Sequence, residues 1–125
     1  PNNKISVLIV EDDTFLSNIY KTKFTMEGFD VTTADDGEAG LALAKSKKPD
    51  IILLDILLPK MDGFMVLKEL KADTAVQNIP VILLTNLGQK DDITKGLEMG
   101  AVDYLIKAHF KPSETVEKVR KILKK

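Results

Sequence analysis

Four groups of residues in this chain carry reactive chemistry: the acidic triplet Glu11-Asp12-Asp13, the carboxylate of Asp55, the hydroxyl of Thr85 and the ammonium of Lys107. Asp55 is out of place, because it separates two apolar runs, Ile51-Ile52-Leu53-Leu54 and Ile56-Leu57-Leu58, and an ionised carboxylate is rarely enclosed unless paired. Gathered carboxylates repel, since two unit charges about 4 Å apart interact by roughly 4 kcal/mol at an effective dielectric near 20. A divalent cation relieves that repulsion. Oxygen-only ligands favour a hard ion, and Mg²⁺ takes one or two carboxylates together with waters and phosphate oxygens. With no cysteine and a single histidine, a zinc site is disfavoured. The set suits phosphoryl transfer: Asp55 attacks phosphorus in line, a metal neutralises the equatorial oxygens, and Lys107, the Thr85 hydroxyl and backbone N–H groups hold the rest.

Residues so far apart in sequence must be gathered by a fold. Apolar runs of strand length recur at Ile5-Val10, Val31-Ala34, Ile51-Leu54, Val81-Leu84 and Val102-Ile106, each followed by a longer polar or helix-period stretch. Nearly continuous Ile, Val and Leu describe strands covered on both faces, as in a parallel sheet. The second run, with Thr32-Thr33, is more polar and belongs at a sheet edge. Leu16, Ile19, Tyr20 and Phe24 follow a helical spacing, as do Val116, Val119 and Leu123. Gly28 ends the first helix, Gly100 closes the fourth, and Pro112-Ser113-Glu114 opens the fifth. Right-handed crossovers then give an open (βα)5 sheet with helices on both sides, an α/β fold whose ligand site lies at the carboxyl ends of the strands, where strand order reverses. Glu11-Asp12-Asp13, Asp55, Thr85-Asn86 and Lys107 all fall there.

Composition limits the alternatives. At 125 residues the chain has the size of one domain and buries a full core. Eighteen basic residues against 19 acidic ones leave a net charge of −1, which gives no general pull toward nucleic acid or an anionic membrane. Absence of cysteine excludes a disulfide framework and fits a reducing compartment. No run is long enough to span a membrane, and Pro-Asn-Asn-Lys at the start lacks the apolar stretch of a secretory signal. These features read as a soluble, cytoplasmic protein. They leave open whether an output domain follows Lys125.

At Val10-Glu11-Asp12-Asp13, Leu54-Asp55-Ile56 with Pro59-Lys60-Met61-Asp62-Gly63, Leu84-Thr85, and Gly100-Ala101-Val102-Asp103-Tyr104-Leu105-Ile106-Lys107, the chain resembles the receiver domain of two-component response regulators, of the chemotaxis-regulator kind. Four motifs in order, each at a strand end, make the likeness specific, and it covers essentially residues 1–125 as a single receiver domain. The resemblance implies a flavodoxin-like, doubly wound parallel sheet of strand order 2-1-3-4-5. It implies that Asp55 is the phosphoacceptor, that Glu11, Asp12, Asp55 and the backbone carbonyl of Leu57 bind Mg²⁺, and that Thr85, Asn86 and Lys107 contact the phosphoryl group. Thr85 and Tyr104 are implied as switch residues that alter the face formed by the fourth helix, fifth strand and fifth helix. The implied partners are a sensor histidine kinase or phosphotransfer protein and a downstream effector or output domain, with no direct nucleic acid or membrane contact. The domain is implied to be a monomer, or a dimer formed on phosphorylation, and to catalyse only its own phosphorylation and dephosphorylation.

Plainer roles stand beside these. Asp13 reads as an N-cap of the first helix and Asp62 as an N-cap of the third. His109 reads as a loop residue, being solitary. Lys118, Lys121, Lys124 and Lys125 read as a solvated helix face that complements the helix dipole. The chain also departs from the family: Ala108 follows Lys107 where a proline is usual, so a trans bond is expected, and the loop from Lys107 to the fifth helix reads about two residues longer. Leu57 and Leu87 flank the route of water to Asp55, which predicts slow self-dephosphorylation. Asn86 replaces a smaller residue and narrows access for larger phosphodonors.

Three rivals remain. A phosphatase of the haloacid dehalogenase class needs a second acid two residues after its nucleophile, where Leu57 stands. A flavodoxin-like electron carrier needs a hydroxyl- and glycine-rich phosphate loop where Glu11-Asp12-Asp13 would repel an FMN phosphate. A degenerate receiver, acting as a phosphorylation-independent interaction module, ranks below the active form because the acceptor-site residues are present.

Overall fold

Every residue of Ile51–Asp55 and Val81–Thr85 is buried, as two covered faces require. The computed structural model describes residues 4–109 and 111–124. Its elements alternate strictly: β1 (Ser6–Val10), α1 (Thr14–Met26), β2 (Asp30–Ala34), α2 (Gly37–Lys47), β3 (Ile51–Asp55), α3 (Gly63–Ala72), β4 (Val81–Thr85), α4 (Lys90–Glu98), β5 (Asp103–Ile106) and α5 (Pro112–Leu123). The five strands are parallel and lie in the order β2-β1-β3-β4-β5, the flavodoxin-like arrangement implied by the family resemblance. β2 is an edge strand and only partly buried along most of its length, which accounts for Thr32-Thr33.

Alternate residues of each strand feed two cores. Leu8, Val10, Ile52, Leu54 and Leu83 pack with Ala44 of α2 and Val66, Leu67 and Leu70 of α3. Val7, Ile9, Leu53, Ile82, Leu84 and Leu105 pack on the other face with Tyr20 and Phe24 of α1 and Val116 and Val119 of α5. Burial of side chains this size contributes about 1.5–3 kcal/mol each, so the central strands are the most firmly fixed part of the molecule.

Helix ends are marked by the residues the sequence points to, with Asp36 as an additional cap. Asp13, Asp36 and Asp62 accept from the N–H groups of Leu16, Ala39 and Met65 and cap α1, α2 and α3. Gly28 and Gly100, just past α1 and α4, take φ of 91° and 112°. Pro112 sits in the first turn of α5, and among the described residues no peptide bond is cis, Lys107-Ala108 included. No helix among those residues is long and apolar enough to cross a membrane.

Several details differ from the sequence-based expectation, among them strand ends such as Ile5, which lies before β1. Asp55 and Thr85 are the last residues of their strands rather than the first residues after them. Exposed Val102 lies outside β5, whose pairing with β4 starts at Asp103. Lys118 is half-buried and its Nζ lies 2.9 Å from Oδ2 of Asp103, so it belongs to an ion pair between α5 and β5. Lys121 and Lys124 are exposed as expected, and Lys125 lies outside the described residues.

Candidate functional site

Strand register brings the reactive residues level with one another. Val10 pairs with Leu54, Asp55 with Leu84, and Thr85 with Ile106. Glu11 and Lys107, each one step beyond its strand, therefore flank Asp55 at the carboxyl edge. The Lys107 N–H extends the ladder, donating to the Thr85 carbonyl at 2.9 Å. Strand order reverses between β1 and β3, so the cluster occupies the crevice where open α/β sheets bind ligands.

Glu11 and Asp55 are buried, at 1% and 3% exposure, whereas Asp12 faces solvent. The Lys107 ammonium bridges the buried pair, its Nζ 2.6 Å from Glu11 Oε1 and 2.7 Å from Asp55 Oδ2. The second oxygens are held by backbone: Asp13 N–H donates to Glu11 Oε2 at 3.0 Å, and Leu57 N–H to Asp55 Oδ1 at 3.2 Å. Lys107 meets Glu11 Oε1 as an ion pair but off the hydrogen-bonding direction, so this oxygen is neutralised without being hydrogen-bonded. Burial pushes the Glu11 carboxyl above its ordinary value, more strongly than Lys107 and the Asp13 N–H pull it down, and Asp55 adds to the rise. Asp12 is likewise raised, by partial desolvation first and then by Glu11. Burial works against the charge on Lys107, but contact with Asp55 and Glu11 outweighs it and raises this group overall.

The arrangement fits a divalent cation. Glu11, Asp12 and Asp55 each present an oxygen within 4.8 Å of the others. Three carboxylates against one ammonium leave an excess of two negative charges, and Glu11 Oε1 has an open hydrogen-bonding direction. All ligands are oxygens, the donor set of Mg²⁺ rather than zinc.

The remaining predicted residues differ in burial and in what they touch. The Thr85 hydroxyl is buried and donates a long hydrogen bond of 3.5 Å to the Leu105 carbonyl. Asn86 is exposed. Leu57 and Leu87 expose 56% and 57% of their surface, so they face solvent rather than forming a closed lid. Tyr104 is half-buried against the core cluster that holds Leu54 and Leu83. Asp13 caps α1 and His109 is an exposed turn residue, the plainer of their two readings.

Gly63 belongs to the Pro59–Gly63 motif, but the sequence alone assigns it no role of its own. Its Cα packs so closely on the Asp55 carbonyl and Ile56 Cα that a Cβ would overlap them, and its N–H donates to the Ile56 carbonyl at 2.8 Å. The available signal was an Asp-Gly pair at the start of α3, since a cap explains the Asp and a close approach explains the Gly.

Comparison with known proteins agrees with this geometry. The family model described as the response regulator receiver domain matches residues 7–120. The chain is 43% identical over 119 residues, 95% of its own length and 49% of the relative's, to the DNA-binding dual master transcriptional regulator RpaA of Synechocystis sp.. It spans about half the length of curated relatives such as this one. A putative response regulator from Chloroflexus aurantiacus has the same fold with a TM-score of 0.91 and 32% identity, covering 98% of this chain and 100% of that one. The receiver domain of sensor histidine kinase PA1611 from Pseudomonas aeruginosa, described with a magnesium ion coordinated in its active site cleft, gives a TM-score of 0.85 at 29% identity and covers 94% and 96%. With the family model matched almost end to end and the fold shared with these receivers, the chain belongs to the response regulator receiver domains of two-component signalling.

Proposed function

We propose that this domain accepts a phosphoryl group on Asp55 from a histidine kinase or phosphotransfer protein, and that the modification is read by an effector protein or by an output domain. The observation that carries this reading is the Lys107 bridge between Asp55 and Glu11 at the switch point of the sheet, with Asp12 beside it. The Asp55 carboxylate forms the new O–P bond as the donor's N–P bond breaks. Its Oδ1 is oriented by the Leu57 N–H, and Lys107 follows the incoming charge from Oδ2. Glu11, Asp12 on the solvent side, Asp55 and the Leu57 carbonyl would hold Mg²⁺, which would supply neutralisation of charge on the phosphoryl oxygens.

Lys107, the Thr85 hydroxyl and Asn86 then take the phosphoryl oxygens. Thr85 is suited to move, because 3.5 Å is a weak bond to abandon for a charge-assisted one. As Thr85 leaves Leu105, half-buried Tyr104 on the neighbouring strand β5 follows and reshapes the face of α4, β5 and α5. The added charge of roughly −1.5 to −2 biases this two-state element. The chemistry is confined to the domain's own phosphorylation and dephosphorylation, so it is a signalling module rather than an enzyme acting on other substrates. Length supports an output region, since the matched relatives are about twice as long and one is described as a DNA-binding transcriptional regulator.

The test is to trap the acyl phosphate with hydroxylamine after incubation with a phosphodonor and Mg²⁺, then map the hydroxamate by peptide mass spectrometry. The reading requires it at Asp55. Its absence, or its appearance at another acid, contradicts the assignment.

A further inference from the structure

The first N–H groups of a helix have no partner within it. In α2 the Ala39 N–H is taken by the Asp36 carboxylate at 2.8 Å. The Gly37 N–H leaves the helix altogether and donates 3.3 Å to the carbonyl of Pro59, in the loop between β3 and α3. That same carbonyl accepts from the Met61 N–H at 2.7 Å and closes a three-residue turn around Lys60, whose φ is 67°. A turn of this kind is rare and strained at a residue other than glycine, and it persists where its surroundings hold it.

Gly37 is what lets α2 come close enough to do so. A Cβ there would overlap the Met61 carbonyl oxygen and stand 2.6 Å from the carbonyl carbon, both backbone atoms that cannot rotate aside. An ion pair of 3.7 Å between Asp36 and exposed Lys60 adds little. The loop gripped in this way begins just after Asp55 and carries Leu57, with its inner side fixed by Leu57 N–H on Asp55 Oδ1 and Gly63 N–H on the Ile56 carbonyl.

We propose that the amino end of α2 braces the loop that follows Asp55, and that Gly37 is a positioning residue for the cation pocket, acting through Pro59 and Met61 on the segment that presents Leu57. This inference rests on the Mg²⁺ reading above. It couples α2 to the pocket: a cation drawn to the Leu57 carbonyl tightens the Gly37 to Pro59 bond, and loosening that bond weakens the cation's hold.

The test compares Mg²⁺ affinity in the wild type, Gly37→Ala and Gly40→Ala, with thermal stability measured in EDTA. Gly40 is the control, because it lies one turn along α2 and a Cβ there would press on Val10 side-chain carbon at 2.7 Å rather than on the loop. Gly37→Ala should raise the Mg²⁺ Kd by about tenfold, the effect of removing support behind a ligand, while Gly40→Ala loses stability but keeps the wild-type Kd. Amide exchange on the wild type serves should Gly37→Ala fail to fold: Mg²⁺ should slow exchange of the Gly37 N–H and leave that of Gly40, which donates to the Asp36 carbonyl, unchanged. An unchanged Kd in Gly37→Ala, an equal rise in Gly40→Ala, or equal changes in exchange at the two glycines overturns the brace. A wild type that binds no Mg²⁺ overturns the metal reading and the brace with it, whereas Mg²⁺ binding untouched by Gly37→Ala overturns the brace alone.

Discussion

Lys107 lies across the carboxyl edge of the sheet with its Nζ 2.7 Å from Asp55 Oδ2, and the same ammonium reaches Glu11 Oε1 at 2.6 Å. Two buried carboxylates thus share one positive charge. Removing the cationic member of a buried ion pair costs about 3–5 kcal/mol, because the partner charges stay behind. Lys107→Met should therefore destabilise the metal-free protein by about 3 kcal/mol, with Mg²⁺ restoring more stability in the variant than it adds to the wild type. Chemical denaturation with EDTA and with Mg²⁺ measures both. Equal Mg²⁺ effects in the two proteins would mean that Lys107 and the cation do not answer the same charge.

Asp12 has the opposite character. Desolvation and the nearby Glu11 raise its carboxyl, so its charged form is penalised in the metal-free fold. Asp12→Asn should stabilise that state, and solvent screening at an exposed residue keeps the gain to no more than about 1 kcal/mol. The same change should weaken Mg²⁺ binding. Melting curves in EDTA and a Mg²⁺ titration give the two signs, and a variant less stable than wild type in EDTA contradicts the repulsion argument.

Glu27 supplies a pH dependence away from the pocket. Contact with Lys23 and with Arg120 of α5 lowers its carboxyl below the ordinary 4.5. A depressed acid contributes stability that is present above its unfolded value and lost as pH falls through the folded one. The stability difference between wild type and Glu27→Gln should accordingly be full at neutral pH and vanish as the pH drops below 4.5. Denaturation midpoints across that range check it, and a difference that grows toward acid refutes it.

Leu57 and Leu87 stand exposed on the loops after β3 and β4 and offer no hydrogen bond to a water approaching Asp55. Replacing either with Asn supplies one. A net hydrogen bond worth about 1 kcal/mol corresponds to about fivefold in rate. Single-turnover loss of phosphoryl from the phosphorylated protein should quicken by about that factor in Leu57→Asn or Leu87→Asn, and unchanged rates in both would show that water is limited elsewhere.

Much of this molecule was legible in its sequence, for reasons that can be named. Unbroken Ile, Val and Leu at residues 51–54 and 81–84 announce strands covered on both faces, and parallel topology then sends Glu11, Asp55, Thr85 and Lys107 to one edge. Asp13 and Asp62 announce helix starts. What sequence does not display is contact between partners distant in the chain. Lys118 looked like one more solvated lysine because Asp103 reaches it only once α5 packs beside β5. Glu11 and Asp12 are alike on paper, yet one is buried and the other exposed, because successive residues leaving β1 face opposite ways. The positive φ of Lys60 carries no signal in a lysine, and the grip of Gly37 on that turn depends on how α2 docks.

Phosphorylation at Asp55 is read out by intact mass. Wild type and Asp55→Asn are incubated with Mg²⁺ and a phosphodonor, acetyl phosphate in one arm and a phosphorylated histidine kinase in the other, and weighed without digestion. The wild type should gain one phosphoryl group and Asp55→Asn none. A wild type that gains no mass from either donor, or an Asp55→Asn that gains as much as the wild type, would contradict Asp55 as the phosphoacceptor.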